Sequence, residues 1–257
     1  MVLIYKLKFG HPKAVEIAVG INGDRLFILQ CEGNLGLLTG GQRFPMAARS
    51  GFQIDPLDRM LRNHGMGRRA DFDGDGRAEV MVRTADGTVD GQGNVIGDAS
   101  KGETYENSWA ALNGGKNLQG PLYVTCFDGT TGKALDTIDY FPNNTVGSNA
   151  ASLTFGDDFG NRSERYNSTI AYIDGQSPSA VFARGYYFGK GISNPNGRTG
   201  AAAYSFKNGK LKMEWSFDTA ESKNNGYIGQ GNHQIEAGDV DGDGKDEIFY
   251  GALTWDN

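Results

Sequence analysis

Asp71-Phe-Asp73-Gly-Asp75-Gly-Arg77-Ala-Glu79 is repeated near the end of the chain as Asp239-Val-Asp241-Gly-Asp243-Gly-Lys245-Asp-Glu247. Three carboxylates at alternate positions repel one another in water unless a cation offsets their charge. Oxygen ligands in this number are those that Ca²⁺ prefers. The glycines allow the sharp turn that points the side chains inward. Both segments are therefore predicted to be calcium loops.

The spacing distinguishes these loops from an EF-hand. An EF-hand requires a bidentate Glu at position 12 and a helix after it, whereas Val82 and Tyr250 stand there. Each last carboxylate comes at position 9 and an apolar run follows, so each loop is expected to open a β-strand. The alternative is an Asp- and Gly-rich turn without metal, which the repetition at identical offsets disfavours. The predicted ligands are Asp71, Asp73, Asp75 and Glu79, with Arg77 through its backbone carbonyl, and Asp239, Asp241, Asp243 and Glu247, with Lys245 through its backbone carbonyl.

Composition favours an all-β protein. Glycine accounts for 39 of the 257 residues, with 14 Phe and 11 Tyr, and many turns between aromatic and β-branched runs are typical of sheets. A net charge of −6 argues against a nucleic-acid partner, which requires a basic face. No segment approaches the roughly 18 apolar residues of a membrane helix, and residues 1–5 are too short for a signal peptide. Cys31 and Cys126 make no disulfide framework and are expected to be buried.

The chain is expected to fall into two parts, residues 1–70 and residues 71–257. In the first part, two apolar runs around Asn22-Gly23 predict a β-hairpin, and residues 31–70 show no period and are expected to be irregular. From Asp71 onward, strands are expected at residues 79–84, 122–127, 134–140, 168–173, 180–187, 201–206, 211–217 and 246–253. Four-stranded antiparallel units in series are typical of β-propeller blades, and roughly three blades fit residues 71–257.

Five strings in the second part are more specific than these patterns. They are residues 84–98 (TADGTVDGQGNVIGD), 127–140 (FDGTTGKALDTIDY), 159–162 (FGNR), 183–187 (ARGYY) and 231–233 (GNH). Together with the Asp loops they resemble rhamnogalacturonan lyases of polysaccharide lyase family 11, over about residues 71–257. The resemblance implies an eight-bladed β-propeller with bound Ca²⁺ that cleaves the rhamnose–galacturonate backbone of pectin by β-elimination.

The resemblance also assigns roles to single residues. His233 matches the His of the family's G-N-H string and is thereby implied to be a ligand of the active-site calcium; without the resemblance, a structural role would be the simpler explanation. The ion's other ligands and the proton-transfer residues lie further downstream in the family, so the catalytic base is unassigned. Arg162 and Arg184 lie in two of these strings and Arg165 lies just after one of them; all three are predicted to contact substrate. The alternative is that they link neighbouring blades.

Two functions are therefore weighed. The first is a fragment of a calcium-dependent rhamnogalacturonan lyase, in which Ca²⁺ neutralises the uronate carboxylate so that a base can remove the C5 proton. The second is a non-enzymatic, calcium-stabilised β-propeller module that binds carbohydrate or protein; the specific strings favour the lyase. The expected partner is the pectic polysaccharide rhamnogalacturonan I, and the full-length form is expected to be monomeric and extracellular. Because residues 1–70 do not resemble the family, the chain is expected to be a truncated or frame-disrupted gene product. Because the family's downstream site residues are absent from it, weak or no activity is expected of the chain by itself.

Overall fold

The computed structural model describes residues 2–4, 16–22, 25–31, 67–101, 106–148, 154–156, 160–185 and 197–256. Its first three strands form one antiparallel sheet: β1 Val2–Ile4, β2 Glu16–Asn22 and β3 Arg25–Cys31. The strands β2 and β3 are the two apolar runs for which a hairpin was expected. They pair from Glu16 opposite Cys31 to Asn22 opposite Arg25.

Two four-stranded sheets and one three-stranded sheet follow in chain order, all antiparallel. The first contains β4 Gly67–Ala70, β5 Glu79–Ala85, β8 Leu122–Asp128 and β9 Ala134–Asp139, with the small hairpin β6 Thr88–Val89 and β7 Val95–Ile96 between β5 and β8. The second contains β10 Tyr166–Ala171, β11 Ser179–Arg184, β12 Gly200–Lys207 and β13 Lys210–Asp218, and the third contains β14 Ile235–Gly238, β15 Glu247–Tyr250 and β16 Leu253–Trp255.

Three short 3-10 helices in the described ranges lie in the connections between these strands. They are Ala99–Lys101, Trp109–Asn113 and Ser222–Tyr227. In the part of the chain that the structure describes, no helix has the length and apolarity needed to cross a membrane.

Three expectations about the strands are wrong in detail. Residues 67–70, expected to be irregular, form β4 because they pair with β5, with Gly67 opposite Val82. The strand β14 was not expected. The single strand expected over residues 246–253 is two strands, because the chain turns at Gly251, whose φ is 69°. A Cβ at Gly251 would lie 2.3 Å from the Gln230 carbonyl oxygen, so the close approach at this turn requires glycine.

The hydrophobic core lies between successive sheets. The middle sheet, β10–β13, is buried on both faces. Neighbouring residues of a strand point to opposite faces, so Val181 and Phe182 belong to different core clusters. One face packs on the preceding sheet and the other on the following sheet. The first cluster includes Phe182, Tyr204, Phe206, Met81, Leu122 and Val124, and the second includes Val181, Ala183, Ala201, Ala203, Ile248 and Tyr250.

The first strands of the three sheets lie side by side, because β10 contacts β4 and also β14. The last strands of the two four-stranded sheets, β9 and β13, also contact each other. The sheets are therefore stacked in chain order, and each connection between a first and a second strand lies near the same connection of its neighbour.

Asp90 holds the polar segment between β5 and β8 against the start of β9. Its buried carboxylate accepts hydrogen bonds from the backbone N–H groups of Gln92 and Asn94, both at 2.8 Å, and of Ala134, at 3.0 Å. Burial by itself would raise the pKa of Asp90. Hydrogen bonds from the Asn94 side chain and from these three N–H groups outweigh burial and lower the pKa.

Replacing Asp90 by Asn is expected to reduce the free energy of unfolding at neutral pH by about 1–3 kcal/mol, because a neutral amide accepts weaker hydrogen bonds than a carboxylate. A carboxyl group whose pKa is lowered by folding adds stability above its unfolded pKa of about 3.9 and loses it as the pH falls through the folded pKa. Urea denaturation at several pH values should therefore show the two proteins converging below about pH 4. A difference that persists unchanged at the lowest pH would argue against this role.

Candidate functional site

The first Asp loop connects β4 to β5 and folds around its own carboxylates. Asp71 accepts hydrogen bonds from the backbone N–H groups of Gly74 and Gly76, at 2.8 and 3.0 Å. Both glycines have positive φ, 80° and 89°, a conformation that L side chains rarely adopt. The turn brings carboxylate oxygens of Asp71, Asp73 and Glu79 within 4.8 Å of one another.

Glu79 is the buried member of this group. Burial raises the pKa of Glu79; a hydrogen bond from the Phe72 N–H, at 2.9 Å, opposes the shift, and the charges of Asp73, Asp75 and Asp71 add to it. The anionic form of Glu79 is therefore disfavoured by its own surroundings. A cation among these oxygens would reverse that balance.

The second Asp loop repeats the geometry between β14 and β15. Asp239 accepts hydrogen bonds from Gly242 and Gly244 at 2.7 and 3.0 Å, and oxygens of Asp239, Asp241 and Glu247 lie within 4.8 Å of one another. One oxygen of the buried Glu247 accepts a hydrogen bond from the Val240 N–H at 2.8 Å, whereas the other is buried without a hydrogen-bond partner. A buried carboxylate oxygen of this kind is costly unless something satisfies it, and the donor set fits a calcium ion.

Asp75 and Asp243 lie outside the two three-carboxylate groups. Each accepts a hydrogen bond at 2.8 Å from a backbone N–H two residues further on, that of Arg77 or Lys245. The ligand roles of these two aspartates and of the carbonyls of Arg77 and Lys245 remain predictions.

His233 lies at the other end of β14 from the second Asp loop. Its side chain is exposed, and its backbone N–H donates a hydrogen bond to Asn232 Oδ1 at 2.7 Å. The Asn232 carbonyl accepts a hydrogen bond from Asn167 at 3.2 Å, which places the segment beside the start of β10. Among the described residues, the acidic groups of three or more that could hold a metal are the two Asp loops, so the ligand role of His233 remains a prediction.

Arg184 has the linking role that was weighed as the alternative to substrate contact. Its side chain is fully buried at the end of β11. The guanidinium donates hydrogen bonds to the carbonyls of Ser163 (2.7 Å) and Pro142 (2.9 Å) and to Asn144 Oδ1 (2.7 Å), and it lies 4.8 Å from the Phe155 ring centroid. Because Pro142 and Asn144 follow β9 and Arg184 ends β11, Arg184 connects the two four-stranded sheets. The expectation that it contacts substrate is corrected, since it is enclosed by protein.

Arg165 and Arg162 lie just before β10, at the same end of the sheets as His233. Arg165 is exposed and donates hydrogen bonds to the carbonyl of Asn161 (3.0 Å) and to its Oδ1 (2.8 Å). Arg162 is partly exposed. Substrate contact by these two arginines remains a prediction.

The structure adds two arginines that the sequence did not single out. The Arg83 guanidinium lies 4.1 Å from the centroid of the Tyr166 ring, and that of Arg198 lies 5.3 Å from the centroid of the Phe155 ring. Arg198 also forms an ion pair with Asp218 at 2.5 Å. No local motif marks these residues, because their partners lie on other strands. Arg184 contacts both of these rings, Tyr166 and Phe155. The end of the two four-stranded sheets at which β10 begins is therefore rich in arginine, and we call it the arginine-rich end.

The fold and the site define an all-β protein with repeated acidic loops and an arginine-rich end, and comparison with known proteins defines its class. A family model described as rhamnogalacturonan lyase family 11, C-terminal domain, matches residues 68–257. The chain belongs to rhamnogalacturonan lyase family 11. The resemblance drawn from the five strings and the Asp loops is thereby confirmed.

Two curated relatives come from Bacillus subtilis (strain 168). The rhamnogalacturonan exolyase YesX is 45% identical and the rhamnogalacturonan endolyase YesW is 44% identical, each over 187 residues. Each alignment covers 73% of this chain but only 27% of the relative, so the chain spans about a quarter of the length of these enzymes.

Solved structures give the same result. The crystal structure of the exotype lyase YesX matches with a TM-score of 0.62 and 43% identity, covering 74% of this chain and 28% of that one. The Bacillus licheniformis rhamnogalacturonan lyase PL11 matches with a TM-score of 0.63 and 44% identity, covering 76% and 30%.

Proposed function

We propose that the chain is part of a calcium-dependent rhamnogalacturonan lyase that cleaves the rhamnose–galacturonate backbone of pectin by β-elimination outside the cell. The observation that carries the proposal is the identity of 44–45% over 187 residues to two enzymes that are both named rhamnogalacturonan lyases. A non-enzymatic binding module would leave this similarity to two lyases unexplained.

The proposal includes the β-propeller architecture. Three consecutive antiparallel sheets pack face to face in chain order, and their first strands lie side by side. This is the relation between neighbouring blades of a propeller. Each blade covers the apolar face of the next, which accounts for the two-sided burial of the middle sheet.

Calcium in the Asp loops would have a structural role. Asp71, Asp73 and Glu79 would hold one ion and Asp239, Asp241 and Glu247 another; the partnerless buried oxygen of Glu247 and the raised pKa of Glu79 support this assignment. Each loop fixes the start of the following strand, and both lie away from the arginine-rich end. A calcium ion near His233 would supply Lewis-acid neutralisation of the uronate carboxylate.

Binding of the acidic polymer is assigned to the arginines at the same end of the sheets as His233. The exposed guanidinium of Arg165 and the partly exposed one of Arg162 can pair with uronate carboxylates, which explains how a protein with a net charge of −6 binds an acidic polymer. Beneath them, the contacts of Arg184 and Arg83 with Asn144, Phe155 and Tyr166 fix the two four-stranded sheets relative to each other. The exposed arginines are thereby held in place.

The proposal is tested by grafting residues 68–257 in place of the aligned segment of the B. subtilis exolyase YesX. The folded graft is expected to retain activity within about tenfold of the parent, measured by the absorbance of the unsaturated uronate product. His233→Ala in the graft should lower activity by at least about tenfold, because metal-site side chains contribute this much or more. Gln234→Ala, at the exposed neighbouring position, should change activity less than about twofold.

A folded graft without activity, or a His233→Ala graft with full activity, would contradict the proposed role of this segment. The chain by itself is expected to show weak or no turnover of rhamnogalacturonan I. Strong turnover by the isolated chain that EDTA abolishes would show that residues outside it are not required.

A further inference from the structure

A cavity of about 530 Å³ opens between the first Asp loop and the middle sheet. One wall is the loop segment 70–74, the other is the β10–β11 connection with Tyr172 and residues 176–178, and Lys207 and Asn208 complete the lining. The volume is within the range of roughly 300–1,000 Å³ typical of small-molecule sites. The cavity is at the opposite end of β10 from Arg165, and therefore away from the end that carries His233.

The lining offers mainly uncharged groups and one accessible aromatic ring. Tyr172 is 46% exposed, whereas most large aromatic residues of the described sheets are buried. Gln176, Ser177 and Asn208 supply amide and hydroxyl groups. Lys207 is ion-paired with Asp174 at 3.1 Å, so this pair brings no net charge.

The opposite wall is acidic, because it contains Asp71 and Asp73. Even with one Ca²⁺ in the loop, Asp71, Asp73, Asp75 and Glu79 leave it with a negative charge, so an anionic ligand would be repelled there. A ligand with many hydroxyl groups and one apolar face matches the ring and the hydrogen-bonding groups, and an uncharged sugar residue has this chemistry.

The aromatic wall is held rigidly by the second Asp loop. The Tyr172 N–H donates a hydrogen bond to Asp246 at 2.7 Å, and the Asp246 N–H donates one to the Tyr172 carbonyl at 3.2 Å. A Cβ at Gly175 would lie 2.6 Å from the Gly244 carbonyl oxygen, so the two turns are in close contact. A wall fixed in advance lowers the entropy lost when a ligand binds.

We propose that this cavity is a saccharide subsite that binds an uncharged sugar residue of the substrate polymer, separate from the end of the sheets that bears His233. The identity of the polymer rests on the proposed function, and in rhamnogalacturonan the uncharged backbone residue is rhamnose. The Tyr172 ring supports the apolar face of the sugar, while Gln176, Ser177 and Asn208 bond its hydroxyl groups. A long polymer is thereby held at a second point on the protein.

The test is calorimetric titration of the chain, in calcium-containing buffer, with rhamnogalacturonan I oligosaccharides. Tyr172→Ala is expected to weaken binding about five- to tenfold, which is the effect of losing one ring contact. Tyr172→Phe keeps the ring and should bind within about twofold of the wild type. Tyr227→Ala is the matched control, because Tyr227 has the same exposed fraction of 46% and lies outside the cavity.

Three results would overturn the subsite: no binding by the wild-type chain, unchanged affinity of a folded Tyr172→Ala variant, or a loss caused equally by Tyr227→Ala. Oligogalacturonate without rhamnose can bind at the arginine-rich end, so its affinity is expected to be the same, within about twofold, for the wild type and for Tyr172→Ala. An equal loss for both ligands on Tyr172→Ala would overturn the preference for an uncharged sugar. The lyase proposal is tested separately by the product absorbance of the graft. An active graft together with unchanged affinity of Tyr172→Ala would therefore overturn the subsite and leave the lyase proposal standing.

Discussion

Arg184→Ala is expected to lower the free energy of unfolding by about 3–5 kcal/mol. The substitution leaves the carbonyls of Ser163 and Pro142 and the Asn144 side chain without their buried donor, at 2.7–2.9 Å from where the guanidinium lay. It also opens a cavity beside the Phe155 ring. Urea denaturation followed by tryptophan fluorescence would measure the change in the midpoint.

Arg165→Ala serves as the matched control, because this arginine lies close after a family-like string but is exposed and hydrogen-bonded locally to Asn161. The free energy of unfolding of the Arg165→Ala variant is expected to differ from that of the wild type by no more than about 0.5 kcal/mol. Arg184→Lys should fall between the two, because a single ammonium group does not reproduce the planar fork that serves three acceptors. A loss below about 1 kcal/mol for Arg184→Ala would exclude the linking role.

Features that depend on nearby residues were predictable from the sequence. The Asp loops are one example, since the hydrogen bonds that fold them around Asp71, Glu79, Asp239 and Glu247 join residues no more than seven positions apart. The β12–β13 hairpin is another, because Asn208 and Gly209 readily take the positive φ values, 54° and 75°, that the turn requires.

Features that depend on distant partners were not predictable. The strand β4 has no apolar alternation and becomes a strand only by pairing with β5. Arg184 and Asn144 are 40 positions apart, so the sequence shows a basic residue in a family string but not its enclosure. The string supported substrate contact, whereas packing between sheets gave Arg184 a structural role. The cavity beside Tyr172 also requires three turns from two sheets.

The two ends of the sheets therefore have opposite chemistry. The connections from first to second strand carry the carboxylates of Asp71 and Asp239, whereas the other end carries Arg165, the partly buried Arg83 and the buried Arg184. This separation lets an acidic protein concentrate positive charge where a polyuronate would bind. Under the proposed function, metal bound in the Asp loops would act on stability, while charge near His233 would act on the substrate.

Removing calcium is therefore expected to destabilise the chain strongly. A ligand at 100 times its dissociation constant stabilises the native state by about 2.7 kcal/mol per site, so two filled loops would contribute about 5 kcal/mol. For a domain of this size, EDTA should lower the melting temperature by about 10 °C or more. Differential scanning calorimetry in EDTA and in excess Ca²⁺ measures the shift, and an unchanged melting temperature would show that the loops bind no stabilising ion.

Substitutions in each loop then assign the effect. Asp73→Ala and Asp241→Ala should each remove about half of the calcium response, because each deletes one carboxylate from a separate group. Asp256→Ala, an exposed acidic position outside both loops, should leave the response intact. If the double variant Asp73→Ala/Asp241→Ala no longer responds to Ca²⁺, the loops account for all of the stabilisation. A residual response would require an ion bound elsewhere, and His233 is then the first ligand to replace.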